Sequence, residues 1–174
     1  MFGSRVSRRI LMIVVLTAVV SVGLVKARRL WATASTAQST LIGRATYRPD
    51  VGDVLFVHRE QPGSNWDVLI QSRPALDVAS QVITFAPGTQ SGWHNHPGPV
   101  FVSVIQGEMT FYEGDDPDCK PTVRHAGEGF LDVGQHAHIA RNESGQTATN
   151  VVRYLVPPGA PLRIDQPNPG NCPF

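Results

Sequence analysis

The chain is short of most features that would place it quickly. It has no basic patch, almost no helical periodicity, few aromatics (7%) and only two cysteines in 174 residues. Its longest apolar run, Ile10–Val25, is interrupted by Thr17, Ser21 and Gly23 and is shorter than the about 20 residues a membrane span needs. The fourteen acids avoid the first 37 residues, which hold six of the fifteen bases. The remainder therefore carries nine basic against fourteen acidic residues, a formal charge of about −5. That balance excludes the electrostatic footprint of a nucleic-acid binder, and no nucleic-acid partner is expected.

The amino terminus has the layout of an export signal. Arg5, Arg8 and Arg9 precede the apolar run, and Lys26, Arg28 and Arg29 follow it. Ser7-Arg8-Arg9-Ile10-Leu11-Met12 resembles a twin-arginine signal, with small-residue cleavage sites at Ala32-Thr33-Ala34 or Ser35-Thr36-Ala37. Residues 1–37 are thus expected to be a signal peptide or an uncleaved membrane anchor, and residues 38–174 one exported or tethered domain. Membrane contact is expected through that segment alone. Ala34–Leu41, polar and small, reads as a flexible lead-in.

Short β-branched or aromatic stretches alternate with turns rich in Gly (16) and Pro (14) along the rest of the chain. Strands are expected near 51–60, 66–71, 79–86, 100–105, 108–113, 122–125, 130–133, 136–141 and 147–156. The fold class expected is all-β, a sandwich or barrel. Asp115–Asp118 lacks the ligand spacing of a calcium loop and reads as a solvated hairpin. Cys119 lies in that hairpin, and Cys172 near the end of a Pro/Gly-rich tail, 157–174. In an exported protein such a pair, without C-x-x-C spacing, is expected to form a disulfide.

Chemistry concentrates in two stretches. His94 and His96 stand two apart before a strand, so both imidazoles can face one spot. His136 and His138 repeat that spacing about forty residues on, and an antiparallel return would bring a third imidazole to the first pair.

The first stretch resembles the cupin motif G-x(5)-H-x-H-x(3,4)-E-x(6)-G, with Gly88, His94, His96 and Gly107 in place. The second resembles the other cupin motif, G-x(5)-P-x-G-x(2)-H-x(3)-N, with Gly127, His138 and Asn142. The resemblance covers 79–156 and implies a jelly-roll barrel, a double-stranded β-helix, with a divalent transition metal held by His94, His96 and His138. Two departures stand out. The motif's glutamate falls at Val100 or Phe101, and its proline and glycine fall at Val133 and Gln135. His136 is a candidate fourth ligand. Trp93, Val100, Val102 and Phe111 are candidate pocket walls. Glu108, Glu128 and His125, and the arginines Arg124, Arg141 and Arg153, are available to the chemistry without one being singled out.

Three imidazoles without a carboxylate leave a metal's double charge uncompensated and suit anionic ligands. The resemblance implies iron if the protein is an oxygenase-type enzyme acting on a small molecule; zinc, manganese, nickel or copper occur in other cupins. The alternative is a non-catalytic module of the cell envelope that binds a metal or small ligand. Cupins also commonly form homodimers through sheet edges.

Overall fold

The computed structural model describes residues 33–48, 55–60, 63, 67–73 and 75–174. The expected export signal lies almost wholly outside these residues. Among the described residues no helix is long and apolar enough to cross a membrane.

Among the described residues twelve strands follow one another: β1 (Gln38–Tyr47), β2 (Leu55–Glu60), β3 (Asp67–Ser72), β4 (Leu76–Phe85), β5 (His94–Asn95), β6 (Val100–Gln106), β7 (Glu108–Glu113), β8 (Thr122–His125), β9 (Gly129–Asp132), β10 (His138–Arg141), β11 (Ala148–Val156) and β12 (Ile164–Asp165). They form one five-stranded sheet, β1-β4-β11-β6-β9, a second, β12-β5-β10-β7-β8, and a β2–β3 hairpin. Neighbouring strands are antiparallel throughout. Two sheets of this order make the double-stranded β-helix that the strand spacing and motifs led us to expect.

The inner faces meet in a core built from both sheets. Phe85, Val104 and Ala148 from the first sheet pack with Met109, Phe111 and Ala140 from the second. Ala79, Val100, Val152, Tyr154 and Val156 continue it along the first sheet. Period-2 alternation produces this arrangement: Val100 and Val104 are buried while Phe101 and Ile105 face out.

The lead-in differs from expectation. Gln38–Leu41 opens β1, which pairs along its length with β4, from Gln38↔Thr84 to Tyr47↔Leu76. Every β1 residue is exposed, so no apolar alternation marks the strand in the sequence. Polar contacts hold it instead. Arg44 Nε and Thr46 Oγ1 each donate to the buried Asp77 carboxylate at 2.6 Å, and the Gly159 N–H adds a third bond at 3.0 Å. The Thr46 hydroxyl, then the Gly159 amide, hold the Asp77 carboxyl down at about 2.

Cys119 and Cys172 form the expected disulfide, with Cα atoms 5.3 Å apart. Cys172 is buried against Trp93, Tyr112 and Ile139, so the tail is part of the packed domain.

Candidate metal centre

His94 sits in the short strand β5, and its register partner is His138 of β10. The antiparallel return anticipated from the paired spacings therefore exists, and it delivers His138 to the other two. Upstream of β5, Gly92, with φ +71, leaves room for the Thr33 backbone to cross beside it, where a side chain would collide. Thr36 and Gln90 exchange hydrogen bonds over the same crossing, Thr36 N to Gln90 O at 2.8 Å and Gln90 N to Thr36 Oγ1 at 2.9 Å.

His94, His96 and His138 are all buried, and one ring nitrogen from each lies within 4.8 Å of the others. The ring centroids are 4.3 to 5.1 Å apart. Nδ1–H of His94 donates to the Gly92 carbonyl at 2.8 Å, and Nδ1–H of His96 to the Leu162 carbonyl at 2.6 Å. A carbonyl only accepts, so each ring keeps its Nε2 lone pair free. Burial, then the charges of His138 and Arg163, push His94 down to about 2. Burial also lowers His96, and pushes His138 down to about 4 against the pull of Asp132. Neutral imidazole is the form that ligates a metal, so this donor set fits a divalent ion. Bonds of about 2.1 Å need ligand edges of about 3.0–3.4 Å, shorter than the 4.8 Å span within which the three nitrogens lie.

The remaining expected site residues divide. Val102 and Phe111 line a narrow apolar pocket of about 40 Å³ against the three histidines, with Phe130 and Val152. Trp93 does not reach it. Alternation turns Trp93 away from its neighbour His94, into the cluster with Tyr112, Ile139 and Cys172. Val100 points inward but is covered by Ala79, Val152, Tyr154 and Val156, and lines neither pocket beside the histidines. His136 is not brought to the cluster: its side chain is 54% exposed and its Nδ1 lies 3.1 Å from Asp115. His125 pairs with Glu108 at 3.3 Å on the surface, and Glu128 accepts the His125 backbone N–H, so neither carboxylate serves the site. Arg141 is held by Glu143 and lies over the Phe174 ring. Asn142 has a structural role, donating to the Phe85 and Gln146 carbonyls.

Three residues not singled out in the sequence stand at the histidines. Tyr154 packs edge-on to His96, its centroid 5.4 Å away, and its hydroxyl donates to Gln81 at 2.7 Å. Burial pushes that phenol up to about 12, so it stays protonated. Arg163 lines a second cavity of about 150 Å³, together with His94, His96, Tyr154, Ser35 and Ser39. Its Nε is taken by Asp165, while its Nη2 is buried without a hydrogen-bond partner. Asp132 places Oδ2 3.3 Å from His138 Nδ1 and 3.6 Å from His96 Nε2. Arg163 and Tyr154 carried no local signal, because they come from the tail and from a β-branched run.

Residues 81–152 match the family described as cupin domain. No curated protein matches the sequence. Among solved structures, a conserved protein with a double-stranded beta-helix domain from Klebsiella pneumoniae is 19% identical, with a TM-score of 0.43 over 68% of this chain and 88% of its own. An oxalate oxidase is 27% identical, with a TM-score of 0.40 over 45% of each chain. The DMSP lyase DddQ from Ruegeria pomeroyi is 17% identical, with a TM-score of 0.43 over 50% of this chain and 42% of its own.

Proposed function

We propose that this chain is an exported, metal-dependent cupin that binds a divalent transition metal through His94, His96 and His138 and acts on a small anionic molecule. One observation carries the reading. Two of the three neutral, buried imidazoles, His94 and His96, line a cavity of about 150 Å³ together with Arg163, whose Nη2 is buried without a hydrogen-bond partner. The volume suits a ligand of a few heavy atoms rather than a drug-sized one, which needs about 300 Å³ or more. A divalent ion held there would act as a Lewis acid and make a bound water more acidic. Arg163 would bind a carboxylate or similar anion, and the Val102, Phe111 and Phe130 wall would exclude water. Iron is the metal proposed for oxygenase-type chemistry; zinc, manganese, nickel or copper would serve the same three ligands.

The second reading, a non-catalytic module holding a metal or small ligand, is favoured by the narrowness of the apolar pocket, about 40 Å³. Export is supported by the disulfide, a bond of oxidising compartments, and by the charge layout of residues 1–37. Ser35 lines the cavity, so cleavage at the earlier site is the version that leaves the cavity intact. A homodimer through the β1 edge, with exposed Leu41, Ile42 and Tyr47, belongs to the same proposal.

The test uses the full-length protein loaded with Co²⁺, whose visible spectrum reports on ligands, titrated with formate, acetate and oxalate. At least one carboxylate is expected to perturb the spectrum saturably, and Arg163→Gln to weaken that response about tenfold or more. A spectrum indifferent to every carboxylate would refute the anionic-ligand reading. Oxygen consumption by the iron form then separates enzyme from binder.

A further inference from the structure

The family motif puts a glutamate where this chain has Val100. In the pairing of β6 with β9, the residue directly opposite Val100 is Asp132. The carboxylate is absent from one strand and present at the facing position of its neighbour. The backbone builds that position with some care. Asp132 Oδ1 accepts the Gly134 N–H at 2.7 Å, which fixes the carboxylate's orientation. Gly134 has φ +84 and passes so close to the His96 and Gly98 carbonyls that a Cβ would lie 2.7–2.8 Å from them. The left-handed residue of this turn is thus Gly134, one place before Gln135, where the motif has its glycine.

With Oδ1 tethered, Oδ2 is turned to the histidines. It lies 3.3 Å from His138 Nδ1 and 3.6 Å from His96 Nε2, yet it is buried without a hydrogen-bond partner. A buried carboxylate oxygen left in that state is costly, by roughly 1–3 kcal/mol or more for a charged group. Neighbouring ligand atoms on a metal's coordination polyhedron are about 3.0–3.4 Å apart for bonds of about 2.1 Å, a range that takes in the 3.3 Å contact to His138 and falls just short of the 3.6 Å contact to His96.

We infer that Asp132 is the carboxylate ligand of this metal centre, transposed across the β6–β9 pair from the position of Val100. This rests on the three-histidine reading above. The centre would then be three imidazoles and one carboxylate, a set that leaves a bound divalent ion a single positive charge.

The full-length protein is tested with Co²⁺ alone, by calorimetric titration and visible absorption, in four forms: unaltered, Asp132→Asn, Asp132→Asn with Val100→Glu, and His138→Ala. Asp132→Asn is expected to weaken Co²⁺ at least tenfold and to change the absorption bands, as a ligand is lost. Placing glutamate at Val100 in that background is expected to restore part of the affinity. The metal-free Asp132→Asn protein is expected to unfold at a higher temperature than the unaltered one, since an unpartnered buried carboxylate is gone. Equal affinity and equal bands in Asp132→Asn would overturn the inference and leave the three-histidine site standing. Weaker binding with unchanged bands would also overturn it, and make Asp132 a positioning residue for His138. Absence of Co²⁺ binding by the unaltered protein would overturn the metal reading itself.

Discussion

Removing the Cys119–Cys172 bond should cost the domain a defined amount of thermal stability. The two cysteines are 53 positions apart. In the chain-entropy view, closing a loop of about 54 residues removes about 4 kcal/mol of unfolded-state entropy. The tail also has contacts besides the bond: Phe174 packs against Tyr112 with centroids 5.0 Å apart, and Asn171 donates to the Glu113 and Asp116 carbonyls at 2.9 and 2.6 Å. The effect should therefore come from the unfolded chain. Unfolding entropy of about 2.1 cal/mol/K per residue over about 140 residues gives about 0.3 kcal/mol/K, so about 4 kcal/mol lowers Tm by about 14 °C. Scanning calorimetry of the Cys119→Ala, Cys172→Ala protein checks this, with reductant added to the unaltered protein as a second route to the same state. A fall of less than about 3 °C by both routes would refute the reasoning.

His138→Ala should cost metal affinity more than the roughly 10–100-fold typical of outer-shell changes, read by calorimetric titration; near-equal binding would move the site elsewhere. Met109→Ala, at a position with no exposed surface, should destabilise by about 2–5 kcal/mol in denaturant unfolding, with the larger values applying if the site cannot collapse. Asp77 has a folded-state pKa depressed from 3.8 to about 2, so its contribution is present above pH 4 and is lost as pH falls from about 4 to 2. Asp77→Asn should therefore be less stable than the unaltered protein at neutral pH, with the gap closing by pH 2 in acid unfolding followed by circular dichroism.

Local pattern carried the fold class and the three histidines, because a spacing of two is itself the geometry of a strand face. The disulfide was legible from the pairing of a loop cysteine with a tail cysteine. Strand β1 was not, because an edge strand held by backbone bonds and by Asp77 needs no apolar alternation. Trp93 and His136 were misplaced for a related reason. Sharing a neighbourhood in sequence with a ligand says little about which way a side chain turns at a strand end. Asp132 and Arg163 depend on cross-strand register and on where the tail docks, and neither can be read from one chain segment at a time. A pairing of 130–133 with 100–105 would have placed a carboxylate opposite Val100, but a slip by one residue would have placed Leu131 or Val133 there instead.

The most direct test of the metal centre is elemental analysis of the full chain, expressed through its own export route, beside a His96→Ala, His138→Ala double variant. About one equivalent of a divalent transition metal in the unaltered protein, and none in the variant, is the expected result. No metal in either protein, with unchanged thermal stability between them, would contradict it and leave three buried histidines without an ion to hold.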